Sequence, residues 1–280
     1  MREKQAAFSA TLQGDDVLWI AQLSDPHVRP QGVLYQGVVD ANEALASAVR
    51  QVNALTPYPD LVLLSGDVVD FGDPAEYAAA RAILSELRAP LFVIPGNHDE
   101  REAFRTAFAD HSYLPVDGPL HFADEAGPLR IVGFDVTIPG KHHGDVDEAA
   151  AAWLRKTLAA DPARPTLVMM HQPPLSSDVP YLDAYRCFGA ERLASVIADF
   201  PAVERVLCGH VHRHMQMRFA GTLLCTAPST ATTIALKPWP DAAPASHIEP
   251  PGFLLHHWDG RRLLTHSVPV GTFPGPFPFA

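Results

Sequence analysis

The sequence predicts an α/β sandwich, two mixed β-sheets with helices on the outside. Three observations predict it. Short apolar runs of strand length alternate with longer helical stretches along most of the chain. Towards the end, apolar runs pair across Ala220-Gly221 and Asp259-Gly260, as hairpins do. Five of the apolar runs also stop abruptly in polar side chains with Gly or Pro beside them. Ligands in open α/β sheets collect at such carboxyl ends of strands.

Each element follows from its residues. Val17–Leu23 reads as the first strand and runs into Ser24-Asp25-Pro26-His27. Gly32–Gly37 is a loop, and a helix follows from Asp40 to Leu55 with Asp40 and Glu43 spaced as a capping box. Leu61–Leu64 is a buried strand entering Ser65-Gly66-Asp67 and Asp70. Asp73 caps a helix that has Pro74 at its first position and ends near Leu87. Leu91–Ile94 is a strand that meets Pro95 and Gly96 and stops at Asn97, His98 and Asp99. A helix over Glu100–Ala109 comes next.

Leu129–Asp135 is a strand and Lys141–Asp145 a polar loop. The Ala-rich stretch Glu148–Ala160 is helical. Thr166–Met170 is a strand ending at His171. Gln172–Phe188 holds three prolines and no period, so it reads as a loop. Gly189–Phe200 is a helix, and Val203–Cys208 a strand that ends at Gly209-His210-Val211-His212. His214–Phe219 pairs with Thr222–Thr226, and Phe253–Trp258 with Leu263–Val268. Pro228–Pro251 is rich in Pro, Ala and Thr without a period and reads as an insertion or flexible arm. The tail, residues 271–280, alternates Pro with Phe and should lack regular structure.

Composition narrows the function. The 280 residues are 47% hydrophobic, enough for one large domain over 1–280. A net charge of −11 argues against a nucleic-acid polymer and against anionic lipid as partners. No run approaches membrane-span length. The first sixteen residues, MREKQAAFSATLQGDD, lack the apolar core of a signal peptide. Cys187, Cys208 and Cys225 are an odd number at no metal-like spacing, which suits reduced thiols and a cytoplasmic location.

The strand-end residues are Asp25, His27, Asp67, Asn97, His98, His171, His210 and His212. Carboxylates, an amide and imidazoles suit divalent Zn, Fe or Mn. So many donors exceed one catalytic metal, which usually takes three protein ligands, and suit two metals sharing a carboxylate. Two such ions can clamp a phosphoryl group and supply hydroxide at neutral pH, with no nucleophilic Ser or Cys. No Walker-type loop is present, which disfavours an NTPase.

Asp25-x-His27, Gly66-Asp67-x-x-Asp70, Gly96-Asn97-His98-Asp99, His171 and Gly209-His210-x-His212 together resemble, in order, the motif set of the calcineurin-like metallophosphoesterases. The flanks GVVDAN, SGDVVDFG and CGHVH are similar to the bacterial branch with class III cyclic-nucleotide phosphodiesterases and glycerophosphodiesterases. The resemblance implies a four-layer αββα sandwich. It implies one metal on Asp25, His27 and His212, a second on Asn97, His171 and His210, and Asp67 bridging both. It implies that His98, oriented by Asp70, donates to the phosphate or protonates the leaving alkoxide. Val211 stands where many relatives have Asn, a change that bears on substrate contacts rather than ligation. The implied activity is metal-dependent hydrolysis of small phosphodiesters, cyclic nucleotides such as cAMP or glycerophosphodiesters, by a metal-activated hydroxide. The alternatives are a phosphomonoesterase, a nucleotide-pyrophosphate hydrolase, or a non-catalytic metal-binding scaffold. Residues 213–255 are expected to form a cap or dimerisation arm and the chain a homo-oligomer.

The other histidines, including His142, His143, His214, His256 and His257, read as surface or structural. Asp99 reads as serving the turn or the next helix start. Cys208, two residues before His210, reads as core packing.

Overall fold

The computed structural model describes residues 17–279. The charged stretch read above as lacking a signal-peptide core lies outside the described residues. In chain order the elements are β1 (Leu18–Leu23), α1 (Ala41–Ala54), β2 (Leu61–Ser65), α2 (Pro74–Leu84), β3 (Leu91–Ile94), α3 (Arg101–Ala107), β4 (Phe122–Ala126), β5 (Leu129–Gly133) and β6 (Gly144–Asp145). Then come α4 (Glu148–Ala159), β7 (Thr166–Met169), α5 (Pro180–Asp183), β8 (Cys187–Phe188), α6 (Ala190–Ala198) and β9 (Val203–Cys208). The chain continues with β10 (Met215–Phe219), β11 (Thr222–Thr226), β12 (Thr233–Ile234), β13 (Ser246–His247), β14 (Gly252–Trp258) and β15 (Leu263–Pro269).

Two large mixed sheets result. One has the order β15-β14-β1-β2-β3, the other β10-β11-β9-β7-β5-β4. Strand alternation sorts their side chains into three apolar layers. Leu18, Ile20, Leu61, Leu63, Phe92 and Ile94 of the first sheet face Leu129, Ile131, Leu167, Met169 and Leu207 of the second. Their neighbours Ala21, Leu23, Val62, Leu64 and Val93 pack outward beneath α1, α2 and α3. On the far side Val132, Val168, Met170, Val206 and Cys208 pack beneath α4 and α6. The result is the four-layer αββα sandwich. Because helices cover both outer faces, the central strands read as continuous apolar runs.

Local signals act as their chemistry dictates. The Asp40 carboxylate accepts from Glu43 N at 3.0 Å, while Glu43 turns to Ser47 and Arg50, so only half of the expected capping box forms. Glu76 is fully buried and accepts from Phe71 N and Asp73 N, tying the β2 loop to the start of α2. All three cysteines are free and buried.

Three expectations need correction. β4 is an unforeseen edge strand; its sequence, Phe-Ala-Asp-Glu-Ala, buries only its two ends, so charges on the exposed edge mask the period. The loop over 172–188 contains α5 and β8, elements too short to leave a period. Pro228–Pro251 is not a free arm. Ser229 to Ala235 are buried, and β12 pairs antiparallel with β13. The pairing register is set by backbone bonds that do not depend on apolar repetition. The tail carries no helix or strand over 271–279, as expected.

Candidate metal centre

The parallel strands β1, β2 and β3 of one sheet and β7 and β9 of the other end on the same side of the sandwich. Their following residues converge. Asp25 and His27 follow β1, Asp67 and Asp70 follow β2, and Asn97 and His98 follow β3. His171 follows β7, and His210 and His212 follow β9.

Sharp turns make the convergence possible. Asp25, His27, Asp67, His210 and His212 all have positive φ, between 46° and 71°. Non-glycine residues held there store strain, and such strain clusters at functional sites. Two glycines allow the closeness. A Cβ on Gly66 would lie 2.4 Å from His171 Nδ1, and one on Gly209 would lie 2.2 Å from Ser24 Oγ.

Two groups of ligand atoms form, each within 4.8 Å: Asp25, His27, Asp67 and His212, and then Asp67, His171 and His210. Asp67 belongs to both. Its Oδ2 lies 3.2 Å from His171 Nε2 and 3.7 Å from His27 Nε2. Asp25 Oδ1 lies 3.5 Å from His212 Nε2. His27 Nε2 and His212 Nε2 face each other at 3.0 Å.

Backbone carbonyls set the histidine tautomers. His171 Nδ1 donates to Ser65 O at 2.7 Å, and His212 Nδ1 to Thr232 O at 2.8 Å. A carbonyl only accepts, so each Nε2 is left with its lone pair aimed into the cluster. Buried His171 Nε2 and His210 Nε2 make no hydrogen bond, the former standing 3.2 Å from Asp67 Oδ2. Such orphaned acceptors beside two buried carboxylates are the donor set of a divalent cation, and these residues fit one.

Charge follows the same geometry. Burial works against ionised Asp67, but the imidazoles of His171, His98 and His27 outweigh it and hold that carboxyl well below its usual range. Burial pushes Asp25 up to about 6, with the Asp67 charge adding to it. Burial also lowers His210 and brings His212 down to about 4, so both stay neutral, the form that ligates.

His98 and Asp70 form a neighbouring unit. His98 Nδ1 donates to the Asp70 carbonyl at 2.7 Å and lies 3.4 Å from its carboxylate. Burial works against the imidazolium, but Asp67 and Asp70 overcome it and raise His98 to about 10. His27, Asp70 and His98 also offer ligand atoms within 4.8 Å. Arg29 pairs with the Asp70 carboxylate at 3.1 Å, however, and with buried Glu76 at 2.5 Å. That cation already neutralises Asp70. Asp99 serves the turn, as expected, accepting from Gly96 N at 2.8 Å and Val68 N at 3.1 Å. Asn97 sits at the edge of the cluster, 3.4 Å from His142 Nδ1.

The cluster floors a cleft of about 690 Å³. Its walls include residues for which sequence reasoning gave no function. Arg29 stands two residues after His27, and that nearness is the signal by which the sequence could have pointed to it. Tyr35 stacks on the His27 ring at 4.6 Å between centroids. Tyr181 and Tyr185 come from α5 and its end, where nothing periodic marks them. His142, read as a surface or structural residue, lines the cleft beside Asn97. Thr232, Ile234 and Pro244 to Ser246, around β12 and β13, form part of the rim.

Comparisons agree with this geometry. Residues 18–214 match the family model described as calcineurin-like phosphoesterase. A probable glycerophosphodiester phosphodiesterase, GpdQ, of Arcobacter nitrofigilis is 34% identical over 262 residues, covering 93% of this chain and 96% of that protein. The 3′,5′-cyclic adenosine monophosphate phosphodiesterase CpdA of Escherichia coli K12 is 28% identical over 232 residues, covering 81% of each. A dimetal phosphatase from Danio rerio shares the fold, with a TM-score of 0.61 at 14% identity over 91% of this chain and 99% of that one. With five motifs in order, the four-layer sandwich and a match across its core, the chain belongs to the calcineurin-like phosphoesterase family.

Proposed function

We propose that this protein is a dinuclear metal-dependent phosphodiesterase acting on small phosphodiesters, glycerophosphodiesters or cyclic nucleotides such as cAMP. The observation that carries it is the meeting of two buried Asp/His groups at one carboxylate, Asp67. Asp25, His27 and His212 would hold one ion and Asn97, His171 and His210 the other, with Asp67 shared. When bound, such a pair polarises the phosphoryl group and lowers the pKa of water. Zn, Mn or Fe suit these ligands.

The remaining chemistry falls to the chain's own groups. His98, its Nδ1 fixed by the Asp70 carbonyl and its ring beside the Asp70 carboxylate, lines the cleft, where it can protonate a leaving alkoxide. Asp70 orients it, and Arg29 holds Asp70. The only Lys or Arg lining the cleft among the described residues is Arg29, already paired with Asp70 and Glu76. With no unpaired Lys or Arg on the walls, a singly charged diester suits the cleft better than a doubly charged monoester. Two of the similar proteins are named as diesterases.

Of the expected cap or arm over 213–255, residues 227–251 lie outside the two large sheets. Leu236, Trp239 and Ile248 are exposed along it, the apolar surface that a second copy would cover in a homo-oligomer. Buried free thiols suit a reducing cytoplasm. Among the described residues no helix is long and apolar enough to cross a membrane.

The test is a substrate panel with Mn(II): bis-p-nitrophenyl phosphate, p-nitrophenyl phosphate, cAMP and a glycerophosphodiester. Diesters should turn over well above the monoester, and chelation should end the activity. A monoester preference, or full activity in chelator, would overturn the proposal.

A further inference from the structure

The middle layer between the two sheets is apolar except along one run of polar side chains that leads to the metal centre. There the alternation that buries Leu18 and Ile20 delivers Gln22, and the one that buries Leu61 and Leu63 delivers Ser65. From β14, the face that carries Leu254 and Trp258 also carries His256. From β9, two residues before Leu207, comes Arg205. Gln22, Ser65 and His256 have no solvent exposure, and Arg205 has 8%. Buried polar groups cost stability unless paired, and apolar residues would serve packing better at these positions.

These groups are paired, and each pairing has a forced direction. Gln22 Nε2 donates to the Cys208 carbonyl at 3.1 Å and to Ser65 Oγ at 2.9 Å. A carbonyl cannot donate, so the amide nitrogen must face Cys208 and the amide oxygen must face His256 Nε2, 3.2 Å away. His256 Nε2 therefore carries the proton. Its Nδ1 accepts from Thr265 Oγ1 at 2.9 Å, because burial keeps the ring neutral, its pKa pushed down to about 3. Thr265 Oγ1 accepts in turn from the Arg205 guanidinium at 2.8 Å. At the other end Ser65 Oγ donates to Ser24 Oγ at 2.8 Å, and Ser24 Oγ donates to Asp25 Oδ2 at 2.5 Å. Every bond points the same way, from a buried cation to a buried carboxylate. The His210 N–H also donates to both Asp25 oxygens, at 3.0 and 3.1 Å, so the Ser24 bond singles out Oδ2, and Oδ1 faces His212 and His171 at 3.5 and 3.9 Å.

We propose that the chain Arg205–Thr265–His256–Gln22–Ser65–Ser24 is a polarised positioning network that fixes the orientation of Asp25 for metal binding. It rests on the reading of Asp25 as a metal ligand. Aligned hydrogen bonds polarise one another in a low-dielectric interior, so each donor strengthens the next. Groups that orient ligands from behind in this way set metal affinity.

The test is titration of the full-length apoprotein with Mn(II), reading each site's affinity by calorimetry and electron paramagnetic resonance. Ser24→Ala and Gln22→Leu should weaken one site by about tenfold and leave the other unchanged. His256→Phe should weaken the same site by less. The double variant Ser24→Ala/His256→Phe should bind no more weakly than Ser24→Ala alone, because the effect of His256 passes through Ser24. A merely structural role for His256 would instead add to the loss. Thr265→Val, at the half-buried end of the network, gives the same reading if His256→Phe fails to fold. Additive losses, or wild-type affinity in both His256→Phe and Thr265→Val, overturn the network. Asp25→Ala separates the two claims. If it keeps both sites, the ligand reading fails; if it loses one while the network variants lose none, the network alone fails.

Discussion

The floor of the cleft and its rim are built in opposite ways. Floor residues come from the ends of five parallel strands, and Asp25, His27, Asp67, His171, His210 and His212 are all buried. Backbone carbonyls fix the rings of His171 and His212, and the Asp67 carboxylate accepts from His98 N at 2.9 Å. Rim residues come from loops and short elements, and Leu34, Phe71 and Tyr185 are exposed. One side-chain hydrogen bond, Ser246 Oγ to Gln36 Oε1 at 3.0 Å, joins two parts of the rim. Chemistry needs atoms held within a fraction of an ångström, and rigid strand ends supply that. Selectivity tolerates looser walls, and loops can vary there without disturbing the floor. Turnover therefore belongs to the floor and substrate choice to the rim.

The largest effect should come from the shared carboxylate. Asp67→Ala removes a ligand from both groups and should abolish diester hydrolysis, while circular dichroism and thermal melting still report a folded sandwich. Near-normal turnover in that variant would remove the distinction between floor and rim.

His98 should come next. His98→Ala should lower kcat by about 100-fold with metal content near normal. The loss should shrink for p-nitrophenyl leaving groups, which need no proton, and stay large for alkyl ones. Equal losses for both would assign His98 to charge stabilisation alone.

The rim should give the smallest effect on rate. Residues 229–235 cannot be deleted cleanly, because Ser229 Oγ donates to the Asp25 carbonyl and Thr232 O holds His212. Replacing only Pro244, Ala245 and Ser246, which line the cleft before and within β13, by Gly-Ser-Gly spares the floor. It should leave turnover of bis-p-nitrophenyl phosphate within about twofold and change discrimination between small and large diesters by about tenfold, the scale of lost apolar contacts. An unchanged substrate ranking would move selectivity to the walls at His142 and Tyr181 to Tyr185.

The same contrast explains what the sequence made legible. Asp25 through His212 stand at the ends of apolar runs, where the period breaks in Gly, Pro and polar residues, so every floor residue was named beforehand. The layers were legible too, since Leu61 to Leu64 and Val203 to Cys208 have the length and apolarity of covered strands. Rim residues carry no such mark. Tyr181 sits in a four-residue helix and Ile234 in a two-residue strand, both shorter than any period. His142 reaches Asn97 only because the 141–145 loop folds back, with Gly144 pairing beside Cys187. The sequence shows His256 only as a surface or structural position; it is fully buried, and its place in a directed network depends on partners 9 and 234 residues away in sequence, which no local pattern encodes.

The most direct test of the central claim is the metal count of the full chain after loading with Mn(II) and desalting, measured by inductively coupled plasma mass spectrometry beside Asp67→Ala. The account predicts two ions per wild-type chain and a clear loss in the variant. One ion or none in the wild type, or two retained in Asp67→Ala, would contradict it.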